Sequence, residues 1–187
     1  HLAANQGNYV ESFCAVDLTR PSDYDTNPAA RVRHDRKVAA YLCCLHRAGF
    51  PVPPNFRVRF TGNGALNDLV WPDQSRDPQR GLSLQAATHW FATIWAAYEG
   101  EDFFTDYRRR KGHEWADEDL KAILIFLTRC RRPGGHVTVD GYIKLRTLVD
   151  LHTPTVSRPF DAAITRELRA GRIVIIDLSQ GDPEVQQ

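Results

Sequence analysis

Methionine is absent from these 187 residues, lysine supplies only four of the 24 basic side chains, and no apolar run approaches the length of a membrane span. Each shortage excludes something. A transmembrane helix needs roughly 18 or more consecutive apolar residues, and neither such a run nor a charged-then-apolar leader is found. Without methionine, residue 1 is not a natural start, which fits a segment excised from a longer chain; tag removal or processing would look the same. The lysines are Lys37, Lys111, Lys121 and Lys144, and none follows a glycine. A phosphate-cradling G-x-x-x-x-G-K-[ST] loop is therefore missing, because that loop needs backbone amides around the phosphates and a lysine to neutralise them. The glycine-bearing "TGNG" at 61–64 reads as a turn. The four cysteines, Cys14, Cys43, Cys44 and Cys130, form no C-x-x-C pair and have no zinc-like spacing with the histidines. They are expected to be free, buried thiols in a reducing cytoplasm.

The formal net charge of +1 argues against a broad nucleic-acid surface built from charge alone. Local clusters remain at 31–37 ("RVRHDRK"), 107–111 ("YRRRK") and 129–132 ("RCRR"). From these, Arg108, Arg109, Arg110, Arg131 and Arg132 are the candidates for contact with nucleic acid or a protein partner. A solvated face is the preferred reading of each cluster unless a geometry links them.

Hydrophobic patterning gives the organisation. "YVESFCAVD", Tyr9 to Asp17, reads as a strand, and Asn27-Pro28 is an N-cap and first-turn pair for a helix running to about Gly49, with Val38, Tyr41, Leu42 and Leu45 at helical spacing. Prolines at 51, 53 and 54 lead into "FRVRF", whose alternation predicts a half-buried edge strand. A turn-rich linker follows to about Gly81. Ser83 then caps a helix with Leu84, Ala87, Phe91, Ile94, Trp95 and Tyr98 on one stripe, and "EDFFTDYRRR" predicts a short aromatic helix. "ADEDLKAILIFLTRC" is apolar nearly all round from Leu120 to Leu127, the mark of a central bundle helix. "VDGYIKLRTLVDLH" and "SRPFDAAITRELRAG" are two further helices, the second stopped by Gly171. The last strand, within 172–179, is the continuous Ile-Val-Ile-Ile of a buried parallel sheet. The expected class is α/β: a partial parallel sheet at the chain ends, residues 1–80 and 171–187, with a large, mainly helical insertion over 81–170.

Two stretches echo each other, "AVDLTRPSD" at 15–23 and "IIDLSQGDP" at 175–183. Ligands gather at the carboxyl ends of parallel strands, so Asp17 and Asp177 are candidates for a nucleotide or metal edge, holding magnesium or a metal-bound water. The plainer reading is an aspartate that ends a strand by accepting amides of the following turn. "GHEWADED" lacks the second histidine of a zinc helix and reads as an acidic helix start. Asp140 and Lys144 are an exposed pair one turn apart. His46 and His89 sit beside apolar stripes without a nucleophile partner.

The segment "GRIVIIDLSQGDPEVQQ", preceded by "SRPFDAAITREL", resembles the HerA and FtsK superfamily of P-loop motor ATPases, conjugative-transfer ATPases included. "YVESFCAVDLT" is similar to their strand after the Walker A helix, although Leu18 to Pro21 stand where Gly-Glu is usual. The resemblance implies an internal segment lying between Walker A and Walker B, incomplete as a catalyst. It further implies ATP and Mg2+ as cofactors of the whole protein and none for this chain alone. The implied partners are the remainder of the parent polypeptide, further copies in a homo-oligomer, and DNA.

Two other classes stay open. One is a self-contained helical module that binds protein or nucleic acid without enzymatic activity. The other is a small α/β enzyme using Asp17 and Asp177 with a divalent metal.

Overall fold

Asn27 and Pro28 open the longest element. The Asn27 side-chain oxygen accepts from the amides of Ala29 (3.0 Å) and Ala30 (3.3 Å), and Pro28 brings a preset φ and no amide needing a partner. That helix ends at Gly49, at φ +107°, where the Gly49 amide donates to His46 O and the Phe50 amide reaches back to Leu45 O. Glycine enters this left-handed turn without a Cβ clash. The computed structural model describes residues 9–149 and 160–171. In order they form α1 (9–14), α2 (Pro28–Ala48), α3 (Gly64–Val70), a 3-10 turn at Pro78–Arg80, α4 (Leu84–Ala97), α5 (Asp102–Lys111), α6 (Glu118–Thr128), a 3-10 helix at Gly141–Leu148, and α7 (Phe160–Arg169). The chain divides into two units, residues 1–152 and 153–187.

In the first unit α2 packs against both α4 and α6. The stripe expected on α2 is only half-buried; its sealed face is made of small residues, Ala39, Ala40, Cys43 and Cys44. Short side chains let neighbouring backbones come close, and the adjacent cysteines divide between the two neighbours. The Cys43 thiol donates to Leu84 O on α4 (3.7 Å), and that of Cys44 to Ile123 O on α6 (3.6 Å). Burial pushes the Cys43 thiol up to about 12 and raises Cys44 as well, so neither is a nucleophile at neutral pH.

Helix α6 is the buried centre its composition predicts. Asp117 caps it, accepting from the Leu120 amide at 2.9 Å, and Ile123, Leu124 and Leu127 are fully enclosed. Ser83 caps α4 by accepting from the Ala86 amide at 3.2 Å. Trp90, Phe91 and Ile94 then point into the core, with Phe60 against both rings at 5.0 and 4.9 Å. The indole N–H of Trp90 donates to Asn67 (3.0 Å), tying α3 to α4, and that of Trp95 donates to Cys130 O (3.1 Å), tying α4 to the loop after α6.

The α/β expectation is overturned: the described residues are mostly helical and contain no sheet. Tyr9 to Asp17 is a helical turn followed by loop. Tyr9 and Phe13, four apart, share one helical face; Phe13 stacks on Phe126 at 3.8 Å and on Tyr41 at 5.4 Å, while Tyr9 meets Phe126 at 5.4 Å. A strand would have placed Glu11 on that same inward face. The other expected strand, 172–179, lies outside the described residues. In "FRVRF" Val58 and Phe60 are buried and Arg57 and Arg59 exposed, but Phe56, expected on the inward side, is exposed, and pairing stops at a single antiparallel bridge between Val58 and Leu82. Prolines before it and Thr61-Gly62 after it leave no length for a ladder.

Within "VDGYIKLRTLVDLH", Gly141–Leu148 winds as the 3-10 helix rather than as an α-helix. Gly141, at φ +53°, begins it where a Cβ would come within 2.5 Å of Phe126 O. In the second unit, α7 ends at Gly171, φ +71°, as expected, with the Gly171 amide donating to Leu168 O at 3.0 Å.

Because Leu124 is enclosed on all sides, Leu124→Ala should cost about 2 to 5 kcal/mol in urea unfolding. A loss under about 1 kcal/mol would mean that α6 is not the centre of the core.

Candidate functional site

Asp17 lies in an exposed loop, not at a strand end. Its carboxylate accepts from the Thr19 amide at 2.7 Å, and hydrogen bonding by Thr19, from its side chain first and then its amide, holds the Asp17 pKa below the usual carboxylate range, with Lys37 and His34 adding to the effect. This is the turn-closing role, and the strand edge assigned to Asp17 from sequence is corrected accordingly. Asp177 lies outside the described residues. Among the described residues no three His, Cys, Asp or Glu side chains are grouped to hold a metal ion.

Arg108, Arg109 and Arg110 occupy the last turn of α5, where the helix dipole favours cations. All three are exposed. Arg109 pairs with Asp106 at 2.8 Å, and Arg110 Nε donates to Asp106 O at 3.3 Å. Arg131 and Arg132 sit in the loop after α6 and shape it through their backbones: the Arg131 amide donates to Val137 O (3.2 Å), and Arg132 O accepts from Gly135 (3.0 Å). No hydrogen bond or ion pair joins the two clusters among the described residues.

The side chains that organise this face of the unit are others. Arg36 is the one charged side chain buried among the described residues, 4% exposed. Its guanidinium lies 4.2 Å over the Trp115 ring, and Nη1 donates to Trp115 O at 3.4 Å. Among the described residues no carboxylate lies within ion-pairing distance and Nε has no partner. Burial pushes its pKa down to about 10, opposed by Tyr107 and Asp117, so it stays charged at neutral pH. One residue on, Lys37 Nζ joins Asp17 O (2.8 Å) to the Asp119 carboxylate (2.7 Å), strapping the loop to the start of α6. His34 Nε2 donates to Leu18 O at 3.2 Å, and the Tyr24 hydroxyl donates to Asp35 at 2.6 Å. "RVRHDRK" is thus neither a wholly solvated face nor an open basic patch. The signal that separates Arg36 from its neighbours is its spacing of three, four and seven to Ala39, Ala40 and Cys43, which sets it on the sealed face.

Four open hollows are among those that mark this unit. One of about 490 Å³ lies between Arg33 and the 113–118 stretch, walled by Glu114, Asp117 and Glu118. Lys121 is ion-paired with Glu114, and with Glu118 at 2.9 Å, so its single charge is shared between two of those carboxylates. A polar hollow of about 400 Å³ lies beside α3 with Asn67, Asp68, Gln74 and Arg76. The other two, of about 210 and 320 Å³, flank Phe56.

These features define a helical unit with inert thiols in its core, an aromatic-stacked arginine beneath one face and shallow, charge-rimmed hollows outside. No family model, curated protein or solved structure matches the chain. No helix among the described residues is long and apolar enough to cross a membrane.

A buried charge without a carboxylate is an energetic burden, whereas the arginine stem packs as an apolar group. Arg36→Met should leave stability within about 1 kcal/mol of the native protein or raise it, while Arg36→Ala should cost about 2 to 4 kcal/mol. Equal losses in denaturant titrations of the two variants would show that the charge itself is required.

Proposed function

We propose that this chain is an internal segment of a nucleotide-driven, DNA- or protein-translocating motor ATPase of the HerA/FtsK type, with residues 9–149 as a helical module that carries no nucleotide site of its own. One observation carries the reading: a helical unit with a closed core stands upstream of the stretch "GRIVIIDLSQGDPEVQQ", the part of the sequence that resembles those motors. The helical part begins near residue 9 rather than residue 81, so the sequence support now rests on the C-terminal stretch alone. On this reading ATP and Mg2+ bind the parent polypeptide, further copies assemble as a homo-oligomer, and DNA is the candidate track.

A second reading has its own support in the helix-only core of residues 9–149: a self-contained module that binds a partner and performs no reaction. The two differ in what the adjoining coding sequence holds. The motor reading requires G-x-x-x-x-G-K-[ST] upstream and an acidic-tipped strand downstream.

Phosphoryl transfer depends on a positioned triphosphate and metal, and the lysine-bearing amide cradle that does this is missing from the 187 residues. Calorimetric titration of MgATP into the purified chain should give no micromolar binding. Saturable micromolar heat would place a nucleotide site within the chain and end the account of it as a segment between the two catalytic motifs.

A further inference from the structure

The two hollows that flank Phe56 lie next to each other along one row of α2. His34, Val38, Leu42 and His46 recur every fourth residue on α2, so they form a single row along about 18 Å of helix at 1.5 Å per residue. His34, Val38 and Leu42 line one hollow and His46 the other. Phe56 and Arg57 line both hollows, so the two adjoin as a groove along that row. Across from the α2 row runs the 52–59 segment, with Val52 and Phe56 at 37% and 38% exposure, the level of side chains that find no complete cover within this unit.

The charge of the groove has one sign where it is free. Arg57 and Arg59 project from the same side of the Val58–Leu82 bridge, flanking Gly81, and a Cβ on Gly81 would stand 3.5 Å from both side chains. Arg57 uses one donor on Gly81 O at 3.3 Å. Among the described residues neither arginine has a carboxylate within 4 Å. A guanidinium offers five donors, so most of this capacity is open. The acid in the groove, Asp35, already accepts from Tyr24 and lies 3.5 Å from His34 Nδ1.

We propose that this groove docks an acidic peptide segment of a partner protein, with an aromatic or aliphatic side chain seated against Leu42 and Phe56 and one or two carboxylates held by Arg57 and Arg59. Charge complementarity selects the occupant. Guanidinium forks match carboxylates in paired hydrogen bonds, and apolar anchors need the half-buried wall that Val38, Leu42 and Phe56 provide. A nucleic-acid backbone would meet two arginines, an apolar wall and a carboxylate, too little positive charge along its track. The inference does not rest on the motor reading and survives its failure.

Selection of a random dodecapeptide library on the full 187-residue chain tests it, followed by fluorescence anisotropy of the enriched peptides. The expected consensus combines Asp or Glu with Phe, Leu or Trp, and binds in the micromolar range. Binding should weaken by about tenfold or more, at least 1.4 kcal/mol, in Arg57→Glu/Arg59→Glu and in Phe56→Ala. Both changes lie at exposed positions, so helix content by circular dichroism should hold. A peptide whose acids are exchanged for lysine should recover affinity for the arginine-reversed variant. Enrichment without acidic residues, equal binding to the reversed variant, or a single-stranded DNA oligonucleotide that binds more tightly than the peptides and depends on the same arginines would each overturn the proposal.

Discussion

The close approach of α2 to both α4 and α6 is the constraint on which the rest of residues 9–149 depends. Ala39, Ala40, Cys43 and Cys44 make it possible by keeping one face of a long helix small. With those backbones drawn in, the bulky residues of the neighbours fill the remaining space: Trp90, Phe91 and Ile94 from α4, and Ile123, Leu124 and Leu127 from α6. Each contributes about 1.5 to 3 kcal/mol of burial. The aromatic residues outside these helices then dock on what they have built. Phe60 lies on Phe91, and Phe13 on Phe126.

Side chains along α2 convert that packing into a fixed arrangement of the loops. Lys37 holds Asp17 O and Asp119 together. Toward the other end Arg47 donates to Leu127 O at 3.0 Å and to the Tyr142 hydroxyl at 2.9 Å while lying 4.3 Å over the Tyr142 ring. That clamp seats the 3-10 helix against the end of α6, and Gly141 supplies the room beneath it. Much of the positive charge that marks the sequence is therefore spent on stacking and on carbonyl oxygens within the unit. Of the groove arginines, Arg57 gives one donor to Gly81 O, and neither has a carboxylate within 4 Å among the described residues.

Helices were legible wherever a cap and a long apolar period coincided. Asn27-Pro28 with Gly49, Ser83 with the Leu84 stripe, and Asp117 ahead of "LKAILIFL" each announced an element that the structure contains. The expected strand at 9–17 failed because its apolar residues fit two periods. Val10, Phe13, Ala15 and Val16 crowd toward one end, and only the distant ring of Phe126 decides that Tyr9 and Phe13 share a helical face. "FRVRF" showed its alternation correctly from Arg57 to Phe60, but alternation carries no information on whether a partner strand exists. The sealed face of α2 was hidden for a different reason. Alanine and cysteine register weakly in a hydrophobic pattern, whereas the larger Val38 and Leu42, which drew attention, line the outer groove. Asp17 was legible as a turn former and misread as a strand tip, since both roles begin with the same Asp-Leu-Thr. Arg36 showed its burial only through its spacing to small residues.

Function is carried by less of the chain than fold is. The resemblance to motor ATPases sits in the C-terminal stretch, while the described helical unit contributes a scaffold and a groove. The claim common to both functional readings is that residues 9–149 are a helix-only unit that includes residues 9–14. Backbone NMR chemical shifts of the full chain test it directly. The account predicts helical Cα and Cβ shifts at 9–14, with ring-current shifts on Phe13 from Phe126, and extended shifts around Val58 confined to the residues of the bridge. Strand shifts through 9–17 with cross-strand contacts to another extended segment would contradict it and restore a sheet.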